Sequence, residues 1–168
     1  KGEVYRPFEI LPPVTIQISD QVLVFNTLTP KPVSFTVKAN MPHVKGTLKI
    51  QVPSGWKITI PNPEINLENK GDEQIVNATL IPDKNGKDGT LQASVSIDGN
   101  EYTKSITRIE YDHIPYQFFL TDAQAKIVFV DLKKTGNKIG YIAGAGDNVP
   151  ACLTQIGYDV TLLTDELL

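Results

Sequence analysis

The chain has 168 residues, enough for one well-packed core or for one domain and a fragment of another. Hydrophobic residues make up 40% and charged residues 21%, which is typical of a globular protein. The net charge of −3 gives no reason to expect nucleic acid or an anionic membrane as a partner. No apolar run approaches the roughly 20 residues that span a bilayer, so we expect no membrane insertion.

The start of the chain suggests a part of a longer protein, since it begins at Lys1 without methionine and carries no signal peptide. The prolines Pro7, Pro12 and Pro13 predict an extended lead-in that reaches the edge of the first sheet. Cys152 is the single cysteine, which excludes an intramolecular disulfide. Its place in an apolar helical segment predicts a small buried side chain rather than a reactive thiol.

Apolar and polar residues alternate from about residue 14 to residue 130, most clearly over 33–39, 48–52, 76–80 and 91–97. A period of two places one row of side chains in a core and the other in water, as in a half-solvated antiparallel sheet. Asp98-Gly99-Asn100 separates two such runs and predicts a hairpin. We therefore expect an immunoglobulin-like antiparallel β-sandwich of seven or eight strands over residues 1–116, including the lead-in.

Trp56 is expected to lie half in the core, beneath a turn at Ser54 and Gly55. The segment 111–116 is predicted to leave the sandwich at a corner. The apolar stretches at 117–120 and 126–131 then predict strands or packing segments between two bodies. Residues 117–137 are accordingly assigned as a connection.

The spacing of apolar residues changes over residues 138–168, where the sequence predicts a strand, a glycine turn, a helix and a second strand. Asp147 is expected to cap the helix, with Pro150 in its first turn and Gly157 ending it in a left-handed conformation. The helix carries an apolar stripe of Val149, Leu153 and Ile156. The two strands are expected to be buried through Ile139, Tyr141, Ile142, Val160, Leu162 and Leu163. Such a β-α-β unit is parallel and right-handed, as at the start of a flavodoxin-like α/β domain.

The turn of this unit, with Gly144, Gly146 and Asp147, is similar to a phosphate-binding loop. Asp165 lies about 20 residues further on, near where a ribose-binding acid would stand. However, the third glycine is missing, and a carboxylate at the helix entry would repel a phosphate. A tight structural turn is favoured, and a nucleotide-binding fragment is the alternative.

The remaining residues do not suggest catalysis. Tyr111-Asp112-His113 places one histidine beside one aspartate, which is far short of a metal ligand set. There is no Ser/His/Asp set, Cys/His pair or Walker loop, and we expect no catalytic residue, metal or cofactor. The aromatic residues Trp56, Tyr111 and Tyr116 could form a sugar-stacking platform, which makes a carbohydrate-binding module a second alternative; packing in the core or at a domain interface is favoured.

Three stretches together resemble one family: "LKIQVPSGWKI", "ITRIEYDHIPYQ" and, most specifically, "KIGYIAGAGDNVPACLTQIGYDVTLL". Their order is similar to the C-terminal region of large bacterial LmbE-like (PIG-L type) N-acetylglucosaminyl deacetylases, notably those of Bacteroidetes. In that family a zinc-dependent deacetylase domain precedes a sandwich and a domain like class I glutamine amidotransferases. The deacetylase signature A-H-P-D-D is absent here, so no zinc-binding or catalytic residue is carried over, and Cys152 does not match an amidotransferase nucleophile.

The resemblance implies a non-catalytic accessory region that positions the missing catalytic domain or helps to engage glycan, in an extracytoplasmic location. The last unit would be the truncated start of the amidotransferase-like domain. Two parallel strands and one helix cannot bury both faces of a sheet. We therefore expect this unit to dock on the sandwich or to form a homodimer with a second copy.

Overall fold

Strands dominate the computed structural model, which describes residues 8–84, 86–144 and 146–164. About 54% of the chain is strand, and the described residues contain one short helix. Pro7 of the predicted lead-in and Asp165, the candidate ribose-binding acid, lie outside the described residues. The strands before the last unit are β1 (Val14–Ile18), β2 (Val22–Phe25), β3 (Lys31–Ala39), β4 (Val44–Gln51), β5 (Trp56–Thr59), β6 (Glu64–Leu67), β7 (Glu73–Pro82), β8 (Gly89–Ile97), β9 (Asn100–Tyr102), β10 (Lys104–Ile109), β11 (Gln117–Asp122) and β12 (Gln124–Phe129). They form what we call the β body.

Two larger sheets share one core. The first has the order β1-β3-β7-β5, and the second has the order β2-β12-β8-β4-β6, with β9 paired to β8. Strand β3 shows the predicted alternation, since Val33, Phe35, Val37 and Ala39 are buried and the residues between them are not. A single hydrophobic cluster joins buried side chains of both sheets, among them Phe35 and Leu80 from the first and Leu91 and Ile127 from the second.

The predicted hairpin at Asp98 and Gly99 is confirmed. Both residues have positive φ, 48° and 83°, and the register places Ile97 opposite Asn100. A two-residue turn of this hand matches the right-handed twist of the strands that it joins. The neighbouring strands β10 and β11 form a separate two-stranded antiparallel ribbon, which we call the ribbon.

The middle part of the predicted connection over residues 117–137 forms strand β12 (Gln124–Phe129). Strand β12 lies inside the second sheet, antiparallel to β8 on one side and parallel to β2 on the other. Its Ala125 and Ile127 are buried in the shared core. Residues 124–129 therefore belong to the β body, which also has more strands than the seven or eight expected. The apolar run at 126–131 predicts a strand, but the run alone does not show that this strand pairs with β2 and β8, which lie far away in the sequence.

The last unit has the predicted β-α-β order, with β13 (Lys138–Ile142), α1 (Val149–Gln155) and β14 (Asp159–Leu163). The two strands are parallel, and Ile139 lies opposite Val160. Pro150 is in the first turn of α1, as expected. Gly157 has φ 92°, its N–H bonds to the Thr154 carbonyl, and the Tyr158 N–H bonds to the Leu153 carbonyl. These two bonds are those of a Schellman motif, so the predicted glycine stop is confirmed.

Three expectations about this unit are wrong. Its strands are not buried, since Ile142 is 63% exposed and Leu162 is 53% exposed, because two strands and a seven-residue helix cover little surface. Asn148, without a side-chain bond, occupies the N-cap instead of Asp147. Cys152 is exposed, because α1 has no buried side chain and Cys152 lines an open groove between α1 and β2.

Candidate functional site

The site residues suggested by the sequence lie in three different parts of the fold. Trp56 is in the core on β5, Tyr111 and Tyr116 follow β10 in the turn of the ribbon, and Gly144, Gly146 and Asp147 lie between β13 and α1. They do not form one site.

Trp56 is buried, with 5% of its surface exposed, so the expectation of a half-exposed ring is wrong. Its ring packs edge-on against Phe25, with centroids 4.7 Å apart, and its Nε1 donates to the Lys87 carbonyl at 2.9 Å. Gly86 lies against the same edge of the indole, since a Cβ there would be 3.1 Å from Nε1. A buried ring has no face free to stack on a sugar.

Tyr116 takes part in a cluster that ties the lead-in to the ribbon. Its hydroxyl donates to the Glu9 carboxylate, which also accepts from Arg108 Nε at 3.2 Å and from Arg108 Nη2 at 3.1 Å. The hydrogen bonds from Arg108 and Tyr116 lower the pKa of Glu9, and the bond to Glu9 raises the pKa of Tyr116. Tyr111 stays apart, 62% exposed. The cluster is a structural clamp rather than a platform for ligand.

The clamp predicts a pH dependence. The pKa of Glu9 is lowered from its ordinary value of 4.5, so its contribution to stability is present above that pH and is lost as pH falls through the folded-state pKa. The pKa of Tyr116 is raised from 10.0, so its contribution is lost as pH rises through its folded-state value. We expect the difference in melting temperature between the wild type and Glu9→Gln to be largest at pH values between the pKa of Glu9 and the pKa of Tyr116. The difference should shrink at more acidic and at more alkaline pH.

The control for this measurement is Glu110→Gln, which removes one exposed carboxylate just after β10. A difference between wild type and Glu9→Gln that does not vary between acidic and neutral pH would contradict the clamp.

The glycine turn of the last unit is occupied by its own carboxylate. Asp147 accepts a hydrogen bond from the Tyr141 hydroxyl at 2.8 Å, and this bond raises the pKa of Tyr141. A Cβ at Gly144 would lie 2.9 Å from Asp147 Oδ2, so the carboxylate packs against the turn itself. Gly146 has φ 75°, a conformation that favours glycine. These contacts support a structural turn, since an anionic phosphate would meet a carboxylate there.

A set of contacts that the sequence did not predict lies at the carboxyl end of α1. Three successive backbone carbonyls accept bonds from side chains of the β body and of the segment after it. Lys31 Nζ donates to Gln155 at 2.5 Å, Asn26 Nδ2 donates to Ile156 at 2.7 Å, and Lys134 Nζ donates to Gly157. We call this set of six residues the seam. These bonds attach the last unit to the β body, which is one of the two arrangements expected from the sequence.

Polar and apolar contacts extend the seam along β2. Gln155 Oε1 accepts from the Val24 N–H at 3.4 Å, and Gln155 Nε2 donates to Asp20 Oδ1 at 3.2 Å. The apolar stripe predicted on α1 faces β2, and together with Val22 and Val24 it lines an open groove of about 310 Å³. This apolar face explains why α1 lies against the edge of the second sheet.

Electrostatic attraction also favours the docking of the carboxyl end of α1 on lysine side chains. The carbonyl end of a helix carries partial negative charge, so lysine side chains stabilise it. Burial lowers the pKa of Lys31, whose Nζ also lies 5.0 Å from the centroid of the Phe25 ring. Lys134 Nζ lies 4.9 Å from the centroid of the Tyr158 ring. These groups hold a helix end in place, and none of them is arranged as a nucleophile with a base.

Two further observations limit the kinds of site. In the part of the chain that the structure describes, no group of three or more His, Cys, Asp or Glu side chains is placed to hold a metal ion. Across residues 8–84, 86–144 and 146–164, no helix is long and apolar enough to cross a bilayer.

Comparison with known proteins gives distant structural likeness alone. No protein-family model matches the chain, and no curated protein sequence matches it. A FixG-related protein from Vibrio parahaemolyticus is 12% identical, with a TM-score of 0.45 over 71% of this chain and 98% of that one. A GH5 xyloglucanase from Bacteroides ovatus is 11% identical, with a TM-score of 0.36 over 83% of this chain and 24% of that one. Likenesses this distant define no family for the chain.

Proposed function

We propose that this chain is a non-catalytic positioning region of a larger protein. In this proposal the β body is an immunoglobulin-like sandwich, and it holds the first β-α-β unit of a flavodoxin-like domain in a fixed orientation. The seam is the observation that supports it most directly, because it joins the two parts by directional hydrogen bonds rather than by a flexible connection.

The donors of the seam come from separate places in the chain. Lys31 begins β3, Asn26 follows β2, and Lys134 lies between β12 and β13. Three attachment points from different segments restrict rotation of α1 about any single contact. Gln155 Oε1 and Nε2 add hydrogen bonds to Val24 of β2 and to Asp20 just before it, which further stabilise the docked position.

The exposed apolar residues of the last unit fit the same proposal. Ile142 and Leu162 would be covered by further strands and helices of a complete α/β domain, whose parallel sheets are normally buried on both faces. A homodimer through this unit is the alternative that would cover the same residues.

The resemblance of three sequence stretches to LmbE-like deacetylases suggests the larger protein. We propose a parent in which a zinc-dependent deacetylase domain precedes this region, acts on N-acetylglucosaminyl glycans outside the cytoplasm, and depends on the β body for its placement. The region itself contributes no residue to the chemistry.

The coding sequence upstream of Lys1 tests the parentage. An A-H-P-D-D motif there is the expected result, and an upstream sequence without it contradicts the parentage while leaving the docking role intact.

The positioning role is tested in the longer protein by zinc-dependent release of acetate from an N-acetylglucosamine oligomer. Lys31→Met is expected to lower the rate severalfold because it loosens the seam. Lys38→Met, at the other end of β3, removes only an exposed ion pair to Glu73 and is the matched control. Equal rates for both variants and the wild type would refute the role.

A further inference from the structure

We propose that a cleft beside the ribbon binds a neutral oligosaccharide. The cleft has a volume of about 400 Å³ and lies where β1, the ribbon and β12 meet. Side chains with amide or hydroxyl groups dominate its lining, including Gln17, Gln21, Ser105, Thr107, Thr121 and Gln124. The proposal goes beyond the positioning role and uses none of the seam contacts.

The lining matches the hydrogen-bonding character of a sugar. Amide and hydroxyl side chains can each donate and accept, as sugar hydroxyls do. Two charged residues, Asp122 and Lys126, also line the cleft, and their charges are opposite. Asp122 is moreover engaged by Lys104 Nζ at 2.8 Å. These three side chains leave one positive charge among mainly neutral groups, so the cleft has no cluster of like charge that would select a polyanion or a polycation.

An exposed aromatic ring continues the cleft along the ribbon. The register of β10 and β11 pairs Ser105 with Thr121 and Thr107 with Phe119. Directly opposite residues, and residues two apart on one strand, project from the same face of an antiparallel pair. Phe119 therefore lies on the face that carries the cleft hydroxyls, and it is 51% exposed. An aromatic ring beside hydrogen-bonding groups can pack against the C–H face of one sugar unit while the next unit is hydrogen bonded.

Hydrogen bonds within the chain hold the walls of the cleft in place. The Ala123 N–H donates to the Thr103 carbonyl at 2.6 Å, and the Ala123 carbonyl accepts from the Ala93 N–H at 2.9 Å. These bonds fix the ribbon against the second sheet at the point where β11 passes into β12. Ser105 Oγ also donates to Gln17 Oε1 at 3.3 Å across the cleft. A preformed site loses little ordering entropy when a ligand binds.

An oligosaccharide fits this cleft better than a peptide. Sequence-selective peptide sites combine backbone pairing with pockets for apolar side chains. The polar lining here offers hydrogen bonds over most of its surface, with the ring of Phe119 at one end.

Screening the protein on an array of neutral glycans identifies the glycan that binds most strongly. A ¹H–¹⁵N NMR titration of the whole chain with that glycan then shows which amides lie at the binding site. The expected result is perturbation of the Ser105, Thr107 and Thr121 amides, with binding weakened about tenfold by Phe119→Ala. Gln17→Ala is expected to weaken binding as well. Tyr111→Ala removes an exposed ring beyond the far end of the ribbon and should leave binding unchanged.

The proposal is overturned if no neutral glycan on the array binds, or if the perturbed amides lie elsewhere. It is also overturned in favour of a peptide if a peptide library yields a ligand that perturbs the cleft amides while the glycans do not. Unchanged thermal unfolding of the variants shows that any loss of binding is local. Amide exchange in α1 reports separately on the seam, so the two proposals can fail independently.

Discussion

Trp56→Ala is expected to lower the free energy of unfolding by about 3–5 kcal/mol, a large part of the roughly 5–15 kcal/mol that stabilises a typical domain. The change removes a buried ring, its edge-on contact with Phe25 and its hydrogen bond to the Lys87 carbonyl. Equilibrium denaturation with urea measures the loss. The variant should lose stability because the indole is part of the core.

Two further variants sharpen this test. Trp56→Phe keeps most of the packing but lacks the N–H donor, so its loss should be clearly smaller. Tyr111→Ala truncates an exposed aromatic side chain and should change the unfolding free energy little. A Trp56→Ala protein as stable as Tyr111→Ala would show that the ring lies outside the core.

Lys31→Met is expected to release the last unit while leaving the β body folded. It removes the ammonium that bonds the carbonyls of Gln155 and Val24, and leaves these acceptors without that donor. The cost to docking is about 1–2 kcal/mol, which corresponds to amide exchange in α1 that is about 5- to 30-fold faster. Hydrogen exchange at Cys152, Ile156 and Tyr158 measures this opening, since their N–H groups are bonded only while α1 is formed.

Amides in the core strands provide the internal reference. Exchange at Val37 and Val76, on adjacent strands β3 and β7, should be unchanged in Lys31→Met. Lys38→Met, the exposed lysine of the same strand, should leave both sets of amides as they are. Equal acceleration in α1 and in β3 would mean that the two parts unfold together, which contradicts a docked unit with its own opening.

Local features of the fold were predictable because neighbours in sequence decide them. The alternation in β3 places four side chains in the core, and positive φ at Asp98 and Gly99 forms a two-residue hairpin. At the end of α1 the Gly157 N–H bonds the carbonyl three positions earlier, and the Tyr158 N–H bonds the carbonyl five positions earlier. In each case the interacting groups lie within one element or one turn, so the pattern of residue types carries the information.

The N-cap of α1 could not be predicted from neighbouring residues alone. Asp147 has the side chain of a good N-cap, yet it bonds the Tyr141 hydroxyl, and Asn148 occupies the cap. The Tyr141 hydroxyl, on strand β13, competes with the helix N–H groups for the Asp147 carboxylate. Whether the hydroxyl can reach the carboxylate depends on the path of the turn between them. Residue type alone could not decide between the two acceptor roles.

The sequence by itself determined a β-rich chain, the positions of its turns and the β-α-β order of its last unit. The tertiary structure decided that β12 lies between β8 and β2, that Trp56 is covered, and that α1 docks on the edge of the second sheet. The physical reason is separation along the chain. Lys31 and Gln155 are 124 residues apart and Asn26 and Ile156 are 130 apart, so their contacts arise from folding of the whole β body and leave no periodic signal.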